Sequence, residues 1–174
     1  MKLIDKPVAG EFPPYASMYI DLLPDDRQVL KHLEENFKST RDLVRSLPAE
    51  KLLYRYEKNK WTIKEVLVHI IDDERIYAYR AMCLARSEKT PLPGFEQDDY
   101  ALNSRANERD IGNIMEEYEA VRRSTIALLN GFADIVFTNV GTANNSKVSV
   151  RALVYHLAGH EMHHINLIRS RYLS

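Results

Sequence analysis

Residues 61–84 read WTIKEVLVHIIDDERIYAYRAMCL, and this stretch carries the clearest helix signal in the chain. Thr62 and Glu65 have the spacing of a capping box, in which each side chain accepts a hydrogen bond from the other residue's backbone N–H. Trp61 lies where a hydrophobic staple would reach Val66. The apolar residues that follow recur at helical spacing: Ile63, Val66, Ile70, Tyr77, Ala81 and Leu84. The stretch therefore predicts a long amphipathic helix that begins near residue 62.

Three further segments have the same helical periodicity. They span about residues 25–47, 107–129 and 149–172. Pro48 marks the end of the first of them. We therefore predict an all-α fold, an antiparallel up-and-down four-helix bundle, in one domain of residues 1–174.

The segments between these helices are long and irregular in pattern. The first 24 residues read as an arm that packs on the bundle, and residues 87–103 and 131–147 read as long loops rich in Pro, Gly or Asn. Residues 135–138 are a weak strand candidate. We expect no substantial sheet.

Composition restricts the classes of function. The chain has 174 residues, with 24 Lys+Arg against 25 Asp+Glu and a formal charge of −1, which argues against a general nucleic-acid binder. Cys83 is the only cysteine, so no disulfide can form within the chain and a reducing cytoplasmic compartment is expected. No stretch approaches the ~18 apolar residues of a spanning helix. We expect a small-molecule substrate, with neither nucleic acid nor membrane as a partner.

Four histidines lie close together in the last predicted helix. His160 and His164 fall in the apolar sector of a helical wheel, His156 lies at its edge and His163 turns outward. Imidazoles at positions i and i+4 are neighbours on one helix face, which lets both reach one metal ion. The alternative is that they are hydrogen-bonded core histidines.

A metal site needs at least one more ligand, and residues 61–84 offer two candidates. His69 lies at the margin of the apolar stripe, and Asp73 follows one turn later. We favour His69, because three imidazoles suit Zn²⁺ or Ni²⁺ and leave one position open. Asp73 would then be an acceptor behind a ligand, a fourth ligand, a general base or a surface carboxylate.

Two polar residues occupy apolar sectors of the other helices. Arg122 could pair with a buried carboxylate and bind an anionic group of the substrate, or it could extend to the edge of the bundle. Asn36 could contact the substrate or only join two helices.

The segment from His160 to His164 reads HEMHH and matches the H-E-x-x-H motif of zinc metallopeptidases. In those enzymes Glu161 would be the general base. The residues after His164 contain no His, Asp or Glu that could be a third ligand, and no convincing strand is present to bind a peptide. The metallopeptidase hypothesis is therefore disfavoured. Apart from that class of enzyme, Glu161, like Asp73, could be a catalytic base or an acceptor behind a ligand; since it lies off the centre of the apolar sector, we favour pairing at the surface.

Three segments together resemble the DinB/YfiT-like superfamily of four-helix-bundle metalloproteins. They are GEFPPYASMYIDLLP (10–24), WTIKEVLVHIIDDE (61–74) and HLAGHEMHHINLIR (156–169). The resemblance implies a metal triad of His69, His160 and His164. His163 matches a frequent neighbouring histidine. Leu167 departs from the family pattern, since many relatives have Gln there.

The resemblance further implies a bundle that is often a homodimer and that holds Zn²⁺, Ni²⁺ or a similar ion. Relatives include metal-dependent hydrolases and S-transferases that use a low-molecular-weight thiol such as bacillithiol. Water or a thiol could fill the open metal position. A non-catalytic metal-binding bundle is the alternative, and it predicts a closed coordination shell.

Overall fold

The computed structural model describes residues 1–173, which are mostly helical. The helices are α1 (Ser17–Ile20), α2 (Val29–Ser46), α3 (Ile63–Ala85), α4 (Gln97–Asn103), α5 (Ile111–Asn130) and α6 (Val150–Leu167). A π-helical turn, Ile168–Tyr172, continues α6, and the strands β1 (Val140–Ala143) and β2 (Ser146–Ser149) form a hairpin. No helix among the described residues has the length and apolarity needed to cross a membrane.

The start of α3 is the one that the sequence predicts. The Glu65 backbone N–H donates to Thr62 Oγ1 over 3.1 Å, and the Thr62 backbone N–H donates to Glu65 Oε2 over 2.7 Å. Both halves of the capping box are therefore present. This cap fixes where α3 begins and so where His69 and Asp73 lie along it.

The four long helices form the expected bundle, but α3 and α5, which are consecutive among these four, run in the same direction. Lys64 Nζ donates to the Arg109 carbonyl, and Arg75 pairs with Glu117, so α3 and α5 advance together. By contrast, the start of α3 lies beside the end of α6, and these two helices are antiparallel. The predicted up-and-down order is therefore wrong in this respect.

The reason for this order lies in the crossover between α3 and α5. A helix of ~20 residues is ~30 Å long, so two consecutive helices can run parallel only if their connection returns along the bundle. Residues 86–110 make this return and include α4. Residues 91–94 also pass beside the hairpin, where the Leu92 N–H donates to the Thr142 carbonyl over 2.9 Å.

Residues 131–147 are predicted from the sequence to be a loop, but the structure forms most of the hairpin from this segment, so that prediction is wrong in part. Residues 135–138 lie in a 3₁₀ turn, and the strands come directly afterwards. Asn144 and Asn145 form the turn between the strands with φ values of 48° and 56°. Asparagine tolerates this left-handed conformation, which two-residue hairpin turns require.

The buried apolar residues form two clusters, and a polar layer lies between them. In α3, one cluster ends at Ile71 and the other begins at Tyr77, with Asp73 and Glu74 between them. The same gap occurs in α5 and α6, where it contains Arg122, His160 and Glu161. Polar groups buried in this way need partners. Several functional residues predicted from the sequence, among them Asp73, Arg122 and His160, therefore lie in one layer across the bundle.

The N-terminal arm lies against α6. Tyr155 Oη donates to the Ile4 carbonyl over 2.9 Å. Gly159 allows the close approach of α1, because a Cβ atom at this position would overlap the Tyr19 carbonyl. The arm thereby brings the Tyr19 ring beside the histidines of α6.

Candidate metal centre

The side chains of His69, His160 and His164 meet between α3 and α6. His160 Nε2 lies 3.0 Å from His69 Nε2 and 3.1 Å from His164 Nε2. The three ligand atoms all lie within 4.8 Å of one another. The structure therefore brings together the three residues that the sequence selected as metal ligands.

These residues fit a divalent cation better than they fit one another. A neutral imidazole has a single N–H, so hydrogen bonds alone leave lone pairs facing each other at the centre of the cluster. Two nitrogens that bind one ion at about 2.05 Å in tetrahedral geometry lie about 3.3 Å apart, close to the observed separations. A cation is the species that satisfies all three nitrogens.

Burial keeps the three imidazoles in the form that binds a metal. His69 and His160 are buried, and His164 is partly buried. Removal from water lowers the pKa of His69, although the Asp73 carboxylate opposes this effect. Burial and the neighbouring imidazoles lower the pKa values of His160 and His164 well below the usual range. Neutral imidazole is the ligand form of histidine.

Asp73 lies behind the cluster, on the far side of the His160 ring. Its Oδ2 atom is 3.3 Å from His160 Nδ1 and 3.3 Å from His156 Nε2, and its side chain is buried. A carboxylate in this place favours the tautomer of His160 that carries its proton on Nδ1 and presents the Nε2 lone pair to a metal. Asp73 is therefore no surface carboxylate, which excludes one of the alternatives left open by the sequence.

Aromatic side chains that the sequence analysis did not select enclose the histidines. The Tyr77 ring stacks on His156 with centroids 3.8 Å apart, and the Trp61 centroid lies 4.7 Å from that of His69. Tyr19 contacts the edges of His156, His160 and His163. The position of Tyr77 on α3, one turn after Asp73, could have indicated its role, whereas Tyr19 comes from an arm with no helical pattern.

Arg122 does not face the cluster of histidines. Its guanidinium pairs with Glu74 Oε2 at 2.9 Å and with Glu161 Oε2 at 2.8 Å, and it also donates to the Leu33 carbonyl. Burial opposes its charge, but the two carboxylates raise the pKa of Arg122 well above its usual value. Arg122 therefore pairs with buried carboxylates, which the sequence analysis considered. The substrate-binding role expected for Arg122 is not supported.

Glu161 and Asn36 also have structural contacts in place of the expected ones. Glu161 is fully buried rather than paired at the surface, and Thr40 Oγ1 donates to its Oε1 over 2.7 Å. Since Arg122 binds its other oxygen, the Glu161 carboxylate is held away from the role of a metallopeptidase base. Asn36 Nδ2 donates to the Ala158 carbonyl over 3.0 Å and so joins α2 to α6.

Two cavities reach the histidine cluster. One, of about 280 Å³, is bordered by Asp73, His156 and His160, and the other, also about 280 Å³, is bordered by His164. The first residues of α4 lie between them, since Gln97 lines one cavity and Asp98 the other. The site is therefore accessible to a small molecule.

Comparisons with known proteins agree with this fold. The model of the DinB superfamily matches residues 32–168. A protein of Oceanobacillus iheyensis, named as a candidate metal-dependent hydrolase, is 28% identical over 149 residues, which cover 84% of this chain and 85% of its own.

The solved structure of YfiT from Bacillus subtilis has a TM-score of 0.74 and 18% identity over 83% of this chain and 86% of its own. YfiT is described as a probable metal-dependent hydrolase with an unusual four-helix bundle topology. At this level of identity the likeness shows the fold alone. Because the family model spans most of the chain, the protein is a member of the DinB superfamily.

Proposed function

We propose that this protein is a metal-dependent hydrolase of a small molecule, with a divalent ion held by His69, His160 and His164. The observation that carries the proposal is the convergence of three Nε2 atoms within 4.8 Å of one another, beside cavities large enough for a small molecule. Three protein ligands leave a position open, as is usual for catalytic zinc sites. The names of the two related proteins support the same class of reaction.

When bound, such an ion polarises a substrate oxygen and acidifies water or a thiol in its open position. The residues of the chain supply the remaining requirements. The Asp73 carboxylate lies 3.3 Å from His160 Nδ1, where it favours a proton on that nitrogen, and it borders the cavity. Tyr19 and Trp61 exclude bulk water from the imidazoles.

The reaction is tested with purified protein that has been loaded with Zn²⁺ or Ni²⁺. Small esters, amides and phosphoesters are screened for hydrolysis, and H164A serves as the variant that lacks one ligand. H163A is the matched control, because His163 is adjacent in sequence but does not contribute one of the converging ligand atoms. Hydrolysis by the parent and H163A, but not by H164A, is the expected result.

The same preparations separate the other hypotheses. Consumption of bacillithiol in the presence of an electrophile, without hydrolysis of any ester, amide or phosphoester, would assign the protein to the thiol S-transferases. Absence of both reactions from metal-loaded protein would favour a metal-binding bundle without catalysis.

A further inference from the structure

Arg80 is a buried cation with no carboxylate partner among residues 1–173. Its side chain lies on α3 and the residue is only 4% exposed. Its one hydrogen bond within these residues runs from Nη2 to the Pro93 carbonyl over 2.6 Å. The other donors of the guanidinium have no hydrogen-bond partner within the same residues.

A comparison with Arg122 shows that a buried arginine without a carboxylate partner is unusual. Arg122 is 3% exposed, and two buried carboxylates neutralise it. Removing a guanidinium from water costs several kcal/mol, and proteins normally offset this with an opposite charge. Arg80 is about as little exposed but lacks such a carboxylate among residues 1–173, and its unpaired nitrogens are not sealed from solvent, so they can meet an anion in the cavity that Arg80 borders.

Arg80 borders the cavity that also contains Asp73 and His160. Asp73, Tyr77 and Arg80 are spaced at i, i+4 and i+7, so they follow one face of α3. The rise along the helix from Asp73 to Arg80 is about 10 Å. A small molecule whose anionic group rests on Arg80 could therefore extend along this face towards the histidines.

The surroundings hold the guanidinium in place while leaving donors free. The Arg80 Cζ atom lies 5.0 Å from the Tyr77 ring centroid and 6.0 Å from that of Phe95. Leu92, next to Pro93, is bound to the hairpin through the Thr142 carbonyl, which anchors the backbone that accepts the Arg80 hydrogen bond. A planar fork that is oriented before binding is the geometry that recognises carboxylate or phosphate oxygens.

The acidic residues around this cavity do not take the place of an anion. Asp73 faces His156 and His160, as described above. Glu96 borders the cavity but is exposed, and it forms no salt bridge with Arg80 in the structure. The positive end of the cavity is therefore at Arg80.

We propose that Arg80 binds the anionic group, a carboxylate or a phosphate, of the small molecule on which the metal centre acts. The inference rests on the proposed function for the link to a substrate, but the anion site itself requires no metal. The substrate is therefore expected to be an anionic small molecule.

The test measures binding of inorganic phosphate and of acetate by isothermal titration calorimetry at constant ionic strength. The parent, R80Q and R123Q are compared, because Arg123 is exposed on α5 and R123Q removes the same charge far from the cavity. Each of the three proteins is also measured with the H164A substitution combined into it, since phosphate could bind a metal ion directly. We expect one of the two anions to bind the parent and R123Q, and R80Q to bind it at least about ten-fold more weakly.

The preferred anion tells carboxylate and phosphate substrates apart. Unchanged affinity in R80Q, or no saturable binding of either anion by the parent, would overturn the proposal. If R80Q does not fold, R80K replaces it: a point charge without the planar fork is expected to bind several-fold more weakly, and equal affinity would count against the site. Loss of metal binding or hydrolysis with Arg80-dependent anion binding intact would remove only the proposed function.

Discussion

The substitution R122Q distinguishes a structural role for Arg122 from a role in substrate binding. The guanidinium is the cation that faces both Glu74 and Glu161, and all three residues are at most 3% exposed. With formal charges, the cluster of Arg122, Glu74 and Glu161 carries −1, and R122Q changes this to −2. Glutamine also cannot reproduce the donations to two carboxylates and the Leu33 carbonyl at the same time.

The expected loss of stability follows from this geometry. Removing one partner of a buried ion pair costs about 3–5 kcal/mol. Because two carboxylates lose their cation, we expect a value near the upper end, which corresponds to a fall in Tm of roughly 10–20 °C for a chain of this size. The substitution E161Q makes the formal charge of the cluster zero and keeps a hydrogen-bonding group beside Thr40, so about 1–2 kcal/mol is expected.

The assay is urea unfolding followed by circular dichroism at 222 nm, with the free energy of unfolding extrapolated to water. R122Q should unfold at much lower urea than E161Q, and both should retain their metal while folded. A stable R122Q whose KM alone rises would refute the structural role and restore Arg122 as a substrate-binding residue. Loss of catalysis in a stable E161Q that still binds metal would restore Glu161 as a catalytic base.

Three further predictions concern the metal centre and the arm. D73N should weaken metal binding about 10- to 100-fold, as measured by competition with a chelator, because His160 loses the carboxylate that fixes its tautomer; an unchanged affinity would contradict this. Metal retention should extend below pH 6.5, since burial lowers the pKa values of the ligand imidazoles and keeps them neutral in more acid solution, and dialysis at a series of pH values measures it; release of the ion at the pH where exposed histidine protonates would count against it. G159A should reduce the free energy of unfolding by about 1–3 kcal/mol, because the new methyl group overlaps the Tyr19 carbonyl, and equal stability in urea would show that α1 can move aside.

The positions of His69, His160 and His164 along their helices could be predicted from the sequence, because each depends on local spacing. His160 and His164 are one turn apart on α6, and the capping box sets the register of His69 on α3. The four-helix bundle follows from the same periodicities. Local spacing does not define which direction each helix runs, and the parallel pair α3 and α5 depends on the path of residues 86–110.

The burial of Glu161 could not be predicted from a helical wheel. The wheel assumes that a helix has one face towards solvent, but α6 is packed by α1, α2 and α3. Its residues from Ala152 to Glu161 are therefore buried without interruption. The partners of Glu161, Thr40 and Arg122, come from two other helices, and no pattern within α6 identifies them.

Arg80 was missed for a related reason. It lies in an α3 sequence whose apolar stripe passes beside it, and its burial results from the crossover and the hairpin. The spacing from Asp73 was a usable signal, because it places a cation on the same helix face as a predicted site residue. Only the structure shows that no carboxylate within residues 1–173 accompanies it.

Metal content of the purified protein tests the convergence of the three imidazoles most directly. Inductively coupled plasma mass spectrometry is applied to the parent and to H69A, H164A and H163A, each prepared in the same way. The parent and H163A should contain about one divalent ion per chain, and both ligand variants should lose most of it, because an incomplete set of ligands binds weakly. An ion that remains in H69A and H164A, or one that is lost from H163A, would contradict a centre built from His69, His160 and His164.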